Sequence, residues 1–238
     1  MKRQKPFSDI DVHANLTSYM DGGGKDLGRH PDGRYASFDY CFNYFQSLRE
    51  NSGIASICSE QNMQQSCLQL GFYLASWGML RGSTLLLWRS ARFLGRVLKT
   101  IADGDERLWQ VDVDSYKDER TLALLLGTRD AIYRALGGNK KVTDTLITKI
   151  MLGVYGNVPA FDKYFCTGLG VGKTLNGENL MRVAAFYECH KDVIDDYAQR
   201  IHTFDFRTGG ETQRHYTKVK IVDMVLVMEG LKEEGPLP

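Results

Sequence analysis

Apolar residues recur three and four positions apart through most of this 238-residue chain, and few segments alternate apolar with polar residues. The first pattern indicates amphipathic helices, whereas the second would indicate strands. About eight helical segments follow one another with short turns between them. The sequence therefore predicts an all-α fold, in a single globular multi-helix domain over residues 35–232.

The two ends of the chain differ from this helical part. Residues 1–34 are polar and rich in glycine, as in the run DGGGKDLGRHPDGRY. Such a segment buries too little apolar surface to offset the entropy lost on ordering. We therefore expect a flexible N-terminal arm over residues 1–34 and a frayed tail over residues 233–238.

Composition excludes several classes of protein. The chain is 43% hydrophobic and 25% charged with a net charge of +1, which is typical of soluble globular proteins. The five cysteines form no CxxC pair and the histidines lack metal-binding spacings, so we predict neither a metal site nor a cofactor. Without a secretory signal or an uninterrupted apolar span, we expect a cytoplasmic location and no membrane partner.

The clearest segregation of charge lies between residues 61 and 102, which contain no Asp or Glu. The positive charges of this segment are Arg81, Arg89, Arg92, Arg96 and Lys99. A predicted helix over residues 85–101 would place three of the arginines on one face. An acid-free basic surface favours a phosphate-bearing partner such as DNA. The alternative is that the arginines pair with the acids that follow in residues 103–114.

A predicted helical hairpin follows, with helices over about residues 118–136 and 143–152. Its turn contains Gly137 and Gly138, followed by Lys140 and Lys141. A turn of this kind can offer backbone N–H groups and lysines to a phosphate. A plain connecting loop is the other interpretation.

After this hairpin the chain carries one lysine and one acid in a distinctive setting. Lys149 lies in an apolar helix, and the sequence GNVPAFD then leads to Asp162. Pro159 restricts the backbone just before the acid. Asp162 could face a cleft, or it could cap the short helix predicted over residues 163–169.

The sequence VPAFD, with Thr148-Lys149-Ile150 upstream, resembles a motif of helix-hairpin-helix DNA glycosylases, particularly the 8-oxoguanine type. Members of that family carry a helix followed by a VPVD-like turn whose Asp is catalytic. Some also use a lysine of the preceding helix as a nucleophile. The resemblance implies that Asp162 and Lys149 are catalytic residues of a DNA-binding hydrolase.

The resemblance also implies a mechanism. The target base would be extruded from the duplex and stacked on aromatic residues, for which the candidates are Phe161, Trp77 and Tyr73. Asp162 would stabilise positive charge on the sugar, and Lys149 would form a Schiff base with it. The arginines of residues 61–102 and the two hairpin lysines would hold the phosphates.

Two other functions fit parts of the sequence. High aromatic content and the glycine-rich end suit a non-enzymatic helical module that binds a protein partner, such as a defence or regulatory subunit. Residues 168–174, GLGVGKT, resemble a phosphate-binding loop, although Thr167 stands where the motif requires its first glycine. Nucleotide binding at this loop is the third hypothesis.

Overall fold

A computed structural model describes residues 6–22 and 28–234 of the chain. Within these residues it contains ten α-helices and one two-stranded antiparallel sheet, which confirms the predicted all-α fold class. The helices are α1 Val12–Asp21, α2 Ala36–Ser52, α3 Met63–Ser76, α4 Gly95–Ala102, α5 Glu119–Ala135, α6 Asp144–Tyr155, α7 Lys163–Leu169, α8 Gly177–Cys189, α9 Lys191–Arg200 and α10 Lys218–Glu234. The strands are β1 His202–Phe204 and β2 Glu211–His215.

Helix α10 lies in the centre of the core. Its residues 219–227 are all buried, and a helix buried on every side must be enclosed by other elements. Helix α7 crosses it very closely, because a Cβ on Gly168 would lie 2.1 Å from the carbonyl oxygen of Leu226. A Cβ on Gly230 would likewise lie 1.9 Å from that of Tyr164. Glycines on both helices therefore allow the two backbones to touch.

Part of the predicted N-terminal arm is ordered against this core. Helix α1 packs on α10, and both Leu16 and Tyr19 are fully buried. Asn15 Nδ2 also donates a hydrogen bond of 3.0 Å to Glu229 Oε2. Residues 12–21 are therefore a packed helix, where a flexible arm was expected. The helix is stabilised because Val12, Leu16 and Tyr19 form an apolar stripe at helical spacing.

Residues 1–5 and 23–27 of the predicted arm and residues 235–238 of the predicted tail lie outside the described residues. Helix α10 continues to Glu234, so the first two residues of the predicted frayed tail are helical.

The helix predicted over residues 85–101 is interrupted. Residues 85–88 and 91–94 form 3-10 turns, and the extended backbone at Arg89 and Ser90 separates them before α4 begins. Helices α8 and α9 follow each other directly and meet at His190. Residues 202–215 contain the β1–β2 hairpin. None of the described helices combines the length and the apolar character needed to cross a membrane.

Candidate functional site

The candidate site is built around the crossing of α3 and α6. The ring of Tyr73 fills the space beside Gly153, where a Cβ would lie 2.4 Å from Tyr73 Cε1. Lys149 precedes Gly153 by one turn and meets Trp77, which follows Tyr73 by one turn. Lys149 Nζ donates to the carbonyl oxygen of Trp77 at 3.0 Å and lies 5.6 Å from the centroid of its ring.

The segment between α6 and α7 brings Asp162 to the same place. The backbone N–H of Phe161 donates to Thr148 Oγ1 at 2.9 Å, and that of Ala160 donates to Asp223 Oδ1 at 2.9 Å. These bonds tie the segment to α6 on one side and to α10 on the other. The backbone that carries Asp162 is therefore held from two directions.

Asp162 uses its two carboxylate oxygens differently. Oδ1 accepts from the backbone N–H groups of Tyr164 at 3.0 Å and Phe165 at 3.1 Å, which makes Asp162 the N-cap of α7. Oδ2 lies 3.1 Å from Lys149 Nζ. The capping role and the contact with Lys149, which the sequence presents as separate possibilities, thus coexist in one side chain.

The Lys149–Asp162 pair is largely enclosed. The lysine side chain is 5% exposed and the aspartate side chain 15% exposed. Burial lowers the pKa of Lys149, and the negative charge of Asp162 opposes that shift. A lowered pKa increases the fraction of neutral amine, which is the nucleophilic form of lysine.

A second buried pair, which sequence reasoning did not identify as a site, lies next to the first. Lys220 Nζ is 2.8 Å from Asp223 Oδ2, and both side chains are almost completely buried. Lys220 Nζ also lies 5.6 Å from the centroid of Trp77, the same separation as for Lys149. A lysine and an aspartate three residues apart in an otherwise apolar run are the sequence signal for such a pair.

The aromatic residues predicted for a base pocket lie in different environments. Phe161 and Tyr73 are buried in the core, so no base can stack on them in this arrangement. Trp77 is partly exposed and stacks on Tyr35, with ring centroids 5.7 Å apart. Tyr35 stacks in turn on Tyr19 at 4.2 Å. Of the three predicted residues, only Trp77 is partly exposed, and its buried Nε1 has no hydrogen-bond partner among the described residues.

The predicted arginines line a groove of about 620 Å³, which we call the basic groove. Its lining residues are Met63, Trp88, Arg89, Ser90, Arg92, Phe93, Gly95, Arg96 and Lys99. The predicted continuous helix is wrong, yet the two 3-10 turns and α4 still direct the three arginines into one groove. Arg81 is exposed outside this lining and packs against Gly78.

Of the acids in residues 103–114, two pair with cations outside the segment of residues 61–102. Asp105 pairs with Arg107 at 2.6 Å, and Asp114 pairs with Lys218 at 2.7 Å. Within residues 6–22 and 28–234, no ion pair joins an arginine or lysine of residues 61–102 to an acid. The positive charge of the basic groove is therefore uncompensated by these neighbours.

The hairpin lysines lie where the sequence predicts them. Lys140 and Lys141 are exposed in the turn between α5 and α6, where Gly137 and Gly138 have positive φ angles. Asn139 Oδ1 accepts from the backbone N–H of Lys141 at 2.9 Å. Lys149 lies further along α6, so this helix connects the turn to the Lys149–Asp162 pair.

The glycine loop has a setting unlike that of a phosphate-binding loop. It begins inside helix α7, whereas the motif requires a preceding strand. Gly168 belongs to α7 and contacts the backbone of α10, and Gly170 ends α7 in the left-handed conformation. These two glycines serve the packing and the termination of a helix.

No group of three or more His, Cys, Asp or Glu side chains arranged to hold a metal ion is present in the part of the chain that the structure describes. Comparison with known proteins found no matching family model, curated protein or solved structure.

Proposed function

We propose that this protein is a DNA-binding enzyme of the glycosylase–lyase type, which acts on a base extruded from the duplex. The observation that carries the proposal is the ion pair between Lys149 and Asp162. A buried amine with a lowered pKa is suited to nucleophilic attack, and a carboxylate 3.1 Å away is suited to take up its proton.

In the proposed reaction, the neutral Lys149 amine attacks C1′ of the damaged nucleotide. The bond between C1′ and the base breaks, its electron pair leaves with the base, and the departing base takes up a proton from solvent. One proton of the attacking nitrogen passes to Asp162, whose negative charge first stabilises the positive charge that develops on the sugar. Opening of the sugar ring then gives a protonated Schiff base between Lys149 and C1′, and the ring oxygen takes up the proton held by Asp162, which restores its carboxylate.

Access to the amine would be from the side of Asp162 and Trp77, which are both partly exposed. The indole would provide the surface on which the extruded base stacks. Arg34, whose guanidinium carbon lies 4.9 Å from the centroid of Trp77, is exposed beside it and suited to a phosphate of the extruded nucleotide.

The basic groove supports the DNA-binding part of the proposal. It combines four cationic side chains with Trp88, which is 74% exposed. Uncompensated positive charge provides most of the affinity of proteins for the phosphate backbone, and exposed aromatic rings can stack on bases.

The proposal is tested by trapping the Schiff base with borohydride. Wild-type protein is incubated with duplexes that contain an abasic site or 8-oxoguanine, and the covalent protein–DNA adduct is measured on a denaturing gel. We expect an adduct with wild type and none with Lys149→Gln. Lys173→Gln, which changes an exposed lysine of the glycine loop, is the matched control and should retain the adduct.

A second variant separates the roles of the pair. Asp162→Asn keeps a side chain able to cap α7, and we expect it to form the adduct at least about 100-fold more slowly. If wild type forms no adduct with either duplex, or if Lys149→Gln is trapped as well as wild type, the proposed function is wrong.

A further inference from the structure

Large apolar side chains are exposed mainly in one region of the protein. Of the seven such side chains among the described residues, five lie between residues 68 and 88. They are Leu68, Phe72, Leu80, Leu87 and Trp88. Single exposed apolar residues are ordinary, but a cluster of them indicates a binding surface.

Several of these side chains border a groove of about 280 Å³, which we call the apolar groove. Its lining residues are Leu68, Gly71, Phe72, Ala75, Leu80, Leu86, Arg89, Ser90, Ala91 and Leu94. Gly71 lacks a side chain, and a Cβ there would lie 3.5 Å from Leu94 Cδ1. At Gly71, α3 therefore contributes no side chain to the groove, where it faces the 3-10 turn of residues 91–94.

The border of the apolar groove is positively charged. Arg89 lines it directly, and it belongs to the acid-free segment of residues 61–102. The same arginine also lines the basic groove, so the two grooves adjoin at Arg89 and Ser90. A complementary ligand must bring apolar groups into the groove and negative charge to its border.

The chemistry of the lining distinguishes between two classes of macromolecule. Leucine and alanine side chains dominate it, and these match the branched aliphatic side chains of a protein. Nucleic acid offers planar bases and phosphates, for which the exposed Trp88 and the arginines of the basic groove are better suited.

We propose that the apolar groove binds an acidic amphipathic segment of a partner protein. Its leucine or phenylalanine side chains enter the groove beside Phe72, and its Asp or Glu side chains contact Arg89. Such a segment binds as a helix that presents residues i, i+3, i+4 and i+7 to the groove. This inference does not depend on the reaction at Lys149.

The experiment selects peptides from a displayed random library on immobilised wild-type protein and measures the affinity of the enriched peptides by fluorescence anisotropy. We expect enriched sequences with Leu or Phe at helical spacing flanked by Asp and Glu. Phe72→Asp should weaken their binding at least about tenfold, because it places a negative charge in the groove. Phe72 is 68% exposed, so the substitution removes little from the core.

Two further variants complete the test. Phe206→Asp changes a phenylalanine that is similarly exposed, at 75%, and lies outside the groove, and it should leave binding unchanged. Arg89→Glu should weaken binding and reduce its dependence on salt.

Four results would each overturn the inference. Enriched peptides could lack acidic residues or bind Phe72→Asp as tightly as wild type. A single-stranded oligothymidylate could displace them and lose its own affinity in Phe72→Asp, which would assign the groove to nucleic acid. Wild type could be a dimer in solution that Phe72→Asp converts to a monomer, which would assign the groove to a second copy of this chain.

Discussion

The ring of Tyr73 occupies the space beside Gly153, where a Cβ would lie 2.4 Å from Tyr73 Cε1. This contact sets the separation of α3 and α6. It thereby determines that Lys149, one turn away on α6, reaches the carbonyl oxygen of Trp77 at the end of α3.

Substitution of Gly153 by alanine should therefore destabilise the protein. The added methyl group would overlap the Tyr73 ring inside a packed core, which costs about 1–3 kcal/mol. Urea denaturation of wild type and variant measures the change in the free energy of unfolding.

Gly127→Ala is the control, because Gly127 lies inside α5 with nothing within 4 Å of its added Cβ. It should stabilise the protein by about 0.5–1 kcal/mol through helix propensity. Equal stabilities of Gly153→Ala and wild type would contradict the prediction.

The pH dependence of adduct formation should report the Lys149–Asp162 pair. In the proposed reaction only the neutral amine attacks, so the single-turnover rate should rise with pH up to the pKa of Lys149. Asp162 raises that pKa against the effect of burial. In Asp162→Asn the rise in the single-turnover rate should therefore occur at lower pH. The constant rate reached above the pKa should also be lower than in wild type. The measurement is the rate of borohydride trapping across a pH series.

The control for this pH series is Asp130→Asn, which removes an exposed carboxylate that pairs with Arg129. Its profile should superimpose on that of wild type. A rise at the same pH in Asp162→Asn as in wild type would show that Lys149 is not the group that titrates.

Stability should depend on pH through Asp112, which lies under the start of α10. Its carboxylate accepts from the backbone N–H groups of Lys218 and Val219, both at 2.8 Å. Burial nevertheless raises the pKa of Asp112 to about 6. Between its ordinary pKa of 3.8 and about 6, the folded state binds more protons than the unfolded state. The contribution of Asp112 to stability is therefore present below this window and is lost as pH rises through it.

The expected loss is about 3 kcal/mol over this window, following from the separation of the two pKa values. It is measured as the difference in unfolding free energy between wild type and Asp112→Asn at several pH values, since other groups titrate in both proteins. Parallel pH curves for the two proteins would refute the prediction.

DNA binding should depend on salt through the basic groove. Each arginine that contacts a phosphate releases condensed counterions, so Arg92→Gln and Arg96→Gln should each reduce the slope of log affinity against log salt by about 0.9. Fluorescence anisotropy of a labelled duplex over a range of salt concentrations measures this slope. Arg120→Gln, an exposed arginine near the start of α5, is the control and should leave the slope unchanged. Unaltered slopes in both groove variants would place the DNA contact elsewhere.

Sequence patterns over short stretches of the chain predict much of the secondary structure. Helix α7 begins directly after its N-cap Asp162 and α6 directly after its N-cap Thr143, close to the predicted starts, because a cap needs only a few neighbouring residues. The predicted helix over residues 85–101 failed for a different reason. Leu85, Leu86 and Leu94 are all buried against other elements, and this packing outweighs the helical spacing of the segment.

The sequence alone was sufficient to identify the helical class, the acid-free basic segment, and Lys149 and Asp162 as residues of interest. These follow from spacing and composition over short stretches of chain. The tertiary structure decided that Lys149 and Asp162 form an ion pair, that Lys220 and Asp223 lie beside them, and that Phe161 and Tyr73 are enclosed in the core. Such contacts join residues that are far apart in the chain. They depend on how closely the helices approach at glycines such as Gly153 and Gly168, and that distance is set by the packing of the entire core.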